Sequence, residues 1–476
     1  MKKSVKDVII YFIGSLFPMF IGFLSSPIFT RYFTPDEYGI LGLINITYNY
    51  INVFFVAWIS SCLWRYYNKF KSKKELSKLL NIIMSIFFLN SFLLIISGFL
   101  IPYLIPSLNK YIILLLFKNL SILTAGFVGY YLIILRLEGK SFKYVFFSSS
   151  VAYINFFVML LLTFKFSWGI EAFYFSQILS NLPFFLAFLL YIRKNTTEIK
   201  PFKILINEKK IIKEMFLFGM ASSLTIITQY LLASGDRYVL KIFRDLSELG
   251  IYDRVYNISD RSVFLLIGVF FNTFNPFIYD KLENDIKNID KHYENLIPKY
   301  ILLIFPIVLF VSLYSKEVAF ILLGEKFRAG YTIIPFVVFG TFFMGLSTFF
   351  EVKLRFTNMK YVLRGYIFAA IINIILNFLF IPEFGYNAAA FTTTLSNFIL
   401  LFYLANKSKI FKLKYILIKE KNYIIPLSFL GFSTIVFFII RLFFNPNLLF
   451  SIIEGCSYFF LYILITIKLN KKLLKK

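Results

Sequence analysis

Residues 248–279 read ELGIYDRVYNISDRSVFLLIGVFFNTFNPFIY. From Val263 onward the stretch is an apolar run fit for a bilayer, yet its first half carries Asp253, Arg254, Asp260 and Arg261. A charge at the centre of a membrane helix costs about 2.5–3.5 kcal/mol even on the lenient insertion scale, so such residues face protein or water and mark a function. The stretch predicts a membrane helix with one polar face.

Composition agrees with a membrane setting. Of 476 residues, 59% are hydrophobic and 16% charged, with a mean hydropathy of +0.75, too apolar for an ordinary soluble domain. The formal net charge of +26 does not point to nucleic acid, because Lys and Arg recur in short clusters between apolar segments and form no single basic face. Cys62 and Cys456 stand alone in apolar surroundings, and the only histidine, His292, has no second ligand nearby. No disulfide framework, metal or cofactor is therefore expected. Lys2, Lys3 and Lys6 precede a first apolar segment of full spanning length with no small-residue cleavage site, so that segment is expected to stay as the first helix.

A spanning helix needs about 20 mostly apolar residues. Fourteen segments qualify, near 8–30, 38–64, 81–101, 111–135, 144–164, 170–192, 214–235, 250–279, 299–323, 331–354, 363–381, 386–405, 423–441 and 447–467. With the first residue inside, the cytoplasmic regions hold 37 of the 51 basic residues. That bias places both termini in the cytoplasm and leaves only short outer connections.

The chain also repeats itself. Gly169, Ala172, Phe175, Leu179, Ser180 and Asn181 recur at an offset of 216 as Gly385, Ala388, Phe391, Leu395, Ser396 and Asn397. Glu37-Tyr38-Gly39-Ile40 matches Glu248-Leu249-Gly250-Ile251, each after an Arg-Tyr pair. Six helices is an even number, so the halves share one topology, the parallel-repeat arrangement of transporters. The expected fold is an all-α polytopic membrane protein of about 14 helices: a six-helix bundle at 1–195, a basic cytoplasmic linker at 196–213, a second bundle at 214–409, and two further helices with a basic tail at 410–476.

This plan, together with PIFTRYFTPDEYGILGL (27–43) and its echo DRYVLKIF…ELGIY (236–252), resembles the polysaccharide biosynthesis branch of the multidrug/oligosaccharidyl-lipid/polysaccharide exporter superfamily. It is similar to Wzx-type O-antigen or capsule-repeat flippases. The resemblance implies a non-enzymatic flippase of the bacterial inner membrane that moves polyprenyl-pyrophosphate-linked oligosaccharide to the outer leaflet by alternating access. It implies as partners the lipid-linked oligosaccharide, membrane lipids and glycan-assembly proteins such as a polymerase. Two rivals stay open: a drug/cation antiporter of the same superfamily, and a membrane glycan polymerase or ligase. The polymerase reading lacks the outer catalytic loop it would need.

Such a substrate asks for cations, hydrogen-bonding groups and aromatic faces around a wet cavity. Arg254 and Arg261 are seven residues apart and share one helix face with Asn257 between them. Arginine suits a pyrophosphate because its planar fork makes bidentate, permanently charged contacts. Lys118 is a third candidate cation, either lining the cavity or snorkelling to the surface. Asn45, Asn49 and Asn52 with Tyr48 form a neutral polar face for sugar in the first half, or bond other helices instead. Asp253 and Asp260 either pair with a neighbouring arginine or carry a coupling proton. Arg31, Asp236 and Arg237 mark the outer mouths of the two halves, as a gate or as interfacial ion pairs. Glu351, Lys353 and Arg355 crowd the inner end of segment ten, and Glu454 has no evident role. If the helix inserts only from about Val263, Arg254 and Arg261 are merely interfacial anchors.

Overall fold

The computed structural model describes residues 2–104, 106–196, 201–285, 288–409, 421–444 and 446–469. In order, the helices are α1 (Lys2–Tyr32), α2 (Pro35–Asn52), α3 (Trp58–Ser72), α4 (Leu76–Leu104), α5 (Ile112–Leu137), α6 (Ser141–Leu160), α7 (Ala172–Asn195) and α8 (Pro201–Asn207). They continue with α9 (Lys209–Ser234), α10 (Asp236–Phe243), α11 (Leu246–Asn284), α12 (Ile289–Leu313), α13 (Ser315–Leu322), α14 (Ile334–Thr357), α15 (Met359–Ser408), α16 (Lys421–Phe443) and α17 (Leu448–Leu469).

Eleven stretches among the described residues are long and apolar enough to cross a membrane. One of them, α15, runs for 50 residues, about 75 Å at 1.5 Å per residue and far more than a bilayer core spans. It is broken at Gly385, whose φ of 57° and ψ of −140° suit a residue without Cβ, so α15 holds two spans. Counting α15 twice and adding α1 and the charged α11 recovers the fourteen predicted segments. Gly385 is also the residue that aligned with Gly169 in the repeat, and there too a loop precedes the helix.

The helices divide into two compact units, residues 1–25 with 43–230, and residues 26–42 with 231–476. These boundaries differ from the predicted halves at two places. In the first unit α9 packs on α2 and α3: a Cβ on Gly219 would lie 2.7 Å from the Trp58 ring, and Cys62 Sγ donates to the Met215 carbonyl at 3.2 Å. Part of the predicted linker is folded as α8, with Ile204 and Leu205 against the same core, while 197–200 lies outside the described residues. Residues 410–420 and 470–476 of the predicted basic tail lie outside them too.

In the second unit the end of α1 is tied to the turn after α13. Ser26 Oγ donates to the Leu322 carbonyl at 2.9 Å, and the Gly324 amide donates to Thr30 Oγ1 at 2.8 Å. The start of α2 meets the start of α11 backbone to backbone. A Cβ on Gly39 would overlap the Leu246 carbonyl and one on Gly250 the Pro35 carbonyl. Residues 35/246 and 39/250 share one offset, so this contact is reciprocal, as at a two-fold axis. Lipid chains are as apolar as leucine, so membrane helices associate through such close small-residue packing.

A π-helical turn at Val53–Ala57 interrupts the second span. Its loosened carbonyls are taken up by side chains: Asn90 donates to Phe55 at 2.8 Å and Tyr130 to Val56 at 3.1 Å. Pro306 sits inside α12, whereas Pro335 opens α14 after a 3-10 segment, where its missing N–H costs nothing.

Candidate functional site

Helix α11 starts under an N-cap: the Asp245 side chain accepts from the Glu248 amide at 2.7 Å. It is continuous through the charged half. Tyr252, Val255, Ser259 and Val263 form a buried stripe, so the segment from Gly250 is packed into its unit as firmly as the apolar half. The opposite stripe is the least covered, with Arg254 and Asn257 half-buried, Arg261 and Phe264 exposed, and open space beside Gly268.

The charges on this helix divide into committed and uncommitted groups. Asp253 accepts from Arg237 Nε at 3.1 Å. Arg237 is buried and also donates to Asp236 at 3.0 Å and to the Ala233 carbonyl at 2.9 Å, with its guanidinium over the rings of Tyr252 and Tyr256 at 4.9 and 4.4 Å. Asp236 is wholly buried and accepts from Thr393 at 3.1 Å and from Tyr252. The network runs on into α15, where Asn373 donates to Thr393 at 3.2 Å and Asn377 to Asn373 at 2.9 Å, and Thr392 donates to Asn377. Asp260 accepts from Thr341 Oγ1 at 2.7 Å. Asn257 turns back on its own helix, donating to the Asp253 carbonyl at 2.6 Å.

Arg254 and Arg261 remain. Among the described residues neither guanidinium makes a hydrogen bond or an ion pair, and the buried Nε of Arg254 has no acceptor. Arg254 stacks on the Tyr38 ring at 5.3 Å, and the two cations repel one another. Two permanently charged forks that lack an acceptor among the described residues thus share one stripe of α11.

The first unit builds a different polar centre. Lys118 Nζ donates to Asn45 Oδ1 at 2.7 Å and lies over the Tyr174 ring at 4.6 Å, while the Tyr174 hydroxyl donates to the same Asn45 oxygen at 3.1 Å. Lys118 is thus held inside the bundle. Asn49 is exposed and Asn52 half-buried, on the stripe of Asn45. Tyr48 leaves that stripe: it is buried in the core of the first unit, its hydroxyl toward the Leu115 carbonyl at 3.5 Å.

The other candidates take these places. Asp236 and Arg237 form the ion-pair alternative, at 3.0 Å, but buried in a network and not at a solvent-facing mouth. Arg31 is exposed and bonds the Pro27 carbonyl at 2.6 Å. Glu351 is locked by Arg355 at 2.6 Å and Tyr366 at 2.9 Å, and Lys353 by Asp290 at 2.8 Å. Glu454 gains a partner in Arg441 at 2.8 Å, which also reaches Glu317 at 3.4 Å. The residues that sequence reasoning passed over are Thr341, Asn373, Asn377, Thr393 and Tyr174. Asn373 and Asn377 at i, i+4 in an apolar segment are a legible signal.

The fold is shared with solved transporters. An inward closed lipid II flippase, MurJ, superposes with a TM-score of 0.76 at 18% identity over 98% of this chain and 100% of that one. An inward-facing multidrug resistance MATE family transporter of the MOP superfamily gives 0.66 at 12% identity, covering 86% and 96%. The Vibrio cholerae MATE transporter VcmN in its bent form gives 0.54 at 12%, covering 86% and 98%. No curated protein matches the sequence. A family model described as polysaccharide biosynthesis protein matches residues 4–274, more than half of the chain, and the chain therefore belongs to the polysaccharide biosynthesis protein family.

Proposed function

We propose that the protein is a flippase that carries polyprenyl-pyrophosphate-linked oligosaccharide repeat units from the cytoplasmic to the outer leaflet by alternating access. The observation that carries this reading is the pair of arginines on α11 whose guanidinium groups have no acceptor among the described residues, while Asp253 and Asp260 on the same helix are already engaged. Arg254 and Arg261 hold the pyrophosphate, and the exposed amides of the first unit, Asn49 above all, meet the glycan. Lys118 serves as a fixed positive charge oriented by Asn45. A drug/cation antiporter would instead want unpaired carboxylates.

Energetics favour the direction. Moving one elementary charge across 100 mV is worth about 2.3 kcal/mol, so an inside-negative potential drives an anionic headgroup outward while the protein's own cations stay in place. In this reading the protein lies in the bacterial inner membrane with both termini in the cytoplasm, and works beside a glycan polymerase in O-antigen or capsule assembly.

The test is the double variant Arg254→Ala/Arg261→Ala in cells whose surface glycan depends on this protein. Surface glycan is expected to disappear while the tagged protein reaches the membrane at wild-type level. Normal glycan at that level would overturn the assignment.

A further inference from the structure

The first unit carries a groove between α1 and α6. Gly14 of α1 packs so close to α6 that an added Cβ would overlap the Val145 side chain. Beside that contact the two helices leave a groove of about 550 Å³. Its walls are Phe17 of α1 and Phe142, Val145, Phe146, Ser150 and Tyr153 of α6, with the rings of Phe17 and Tyr153 6.4 Å apart. On membrane-spanning helices an apolar groove of this kind is reached by hydrocarbon chains and not by water-borne ligands.

Charge decides which lipid. Lys143 lies on the groove-bearing face of α6, seven residues before Ser150 and eleven before Ile154, which also lines the groove. It is exposed and makes no hydrogen bond or ion pair among the described residues. Helical side chains lean toward the helix N-terminus, so its ammonium reaches past Phe142 to the end of α6 predicted to face the cytoplasm. Among the described residues Arg136 and Lys140 lie at that same end with the carboxylate of Glu138, which Lys140 reaches at 2.6 Å and Lys71 at 3.8 Å. Bases therefore outnumber acids among the described groups at this end, with Lys143 uncommitted.

We propose that the α1–α6 groove binds an anionic phospholipid of the cytoplasmic leaflet, its chain among Phe17, Phe142, Phe146 and Tyr153 and its phosphate on Lys143. The inference does not depend on the flippase reading, since none of these residues belongs to the α11 site.

The full-length protein in neutral detergent is given phosphatidylglycerol, phosphatidylcholine with the same chains, or a polyprenyl phosphate, and bound lipid is counted by native mass spectrometry. Wild type is expected to retain phosphatidylglycerol over phosphatidylcholine. Lys143→Gln is expected to reduce that preference about fivefold, as for the loss of one basic group near a membrane surface. Ser150→Trp, which fills the groove, is expected to lose both phospholipids. Equal retention of the two by wild type, an unchanged preference in Lys143→Gln, or wild-type retention in Ser150→Trp overturns the proposal. Displacement of phosphatidylglycerol by an equal concentration of polyprenyl phosphate also overturns it and assigns the groove to a prenyl chain.

Discussion

Helix α11 of the second unit matches the second segment of the chain in the sequence repeat, yet the polar centres built on the two treat charge in opposite ways. In the polar centre of the first unit the cation, Lys118, has an oriented acceptor in Asn45 and a ring beneath it in Tyr174. In the second unit Arg237 absorbs Asp236 and Asp253, Asp260 is bonded by Thr341, and Arg254 and Arg261 are left over. What matters in a membrane interior is therefore charge net of partners. Counting charged residues over 250–262 of α11 gives two acids and two bases and suggests neutrality; counting partners among the described residues leaves two cations.

The largest expected effect breaks the committed side. Arg237→Leu strands the buried Asp236 carboxylate and removes the partner of the half-buried Asp253, and is expected to destabilise the protein by about 3–5 kcal/mol, the usual cost of removing one member of a buried pair. Arg254→Leu removes a charge with no hydrogen bond and is expected to change stability by less than about 1 kcal/mol while abolishing transport. Thermal unfolding in detergent beside a surface-glycan assay separates the two. Equal destabilisation by both substitutions would erase the distinction between committed and free arginines.

A smaller effect sharpens the first unit. Asn45→Ala removes the acceptor shared by Lys118 and Tyr174 and is expected to cost about 1.5–3 kcal/mol, the range for a hydrogen bond to a charged group. Asn49→Ala, which removes an exposed amide, is expected to leave the unfolding temperature unchanged. A large loss of stability in Asn49→Ala would place that residue among the structural amides.

The smallest effect concerns pH and lies beyond the membrane-spanning part of α5. Burial pushes the Glu138 carboxyl up, but hydrogen bonds from Lys140, Tyr67 and Tyr191 outweigh it and hold Glu138 below its ordinary value. A depressed folded-state value means that the carboxylate stabilises the fold above its unfolded-state value, and that this contribution is lost as pH falls through the folded one. Glu138→Gln is expected to cost about 1 kcal/mol or less at neutral pH and to flatten the acid limb of the unfolding curve. An acid limb identical to wild type would show that Glu138 does not carry it.

Much of this protein was legible in its residues. Helix positions follow from apolar length, because a bilayer forces every backbone group into an intrahelical bond and leaves few alternatives. The duplication was visible in Gly39/Gly250, because glycines at a close backbone crossing have few substitutes, and in the Gly169/Gly385 match, of which only Gly385 has a positive φ. The charged face of α11 was visible because charge in an apolar run is costly. Pairing was not legible. Asp236 and Thr393 stand 157 residues apart, Thr341 and Asp260 81 apart, and Arg441 meets Glu454 only because two successive helices fold back together. Sequence alone determined the class, the spans, the repeat and the presence of buried charge, since each depends on local composition and period. Tertiary structure decided that Arg237 is paired with carboxylates while Arg254 and Arg261 have no carboxylate partner among the described residues, since an ion pair is a matter of ångströms between helices that the chain order does not encode.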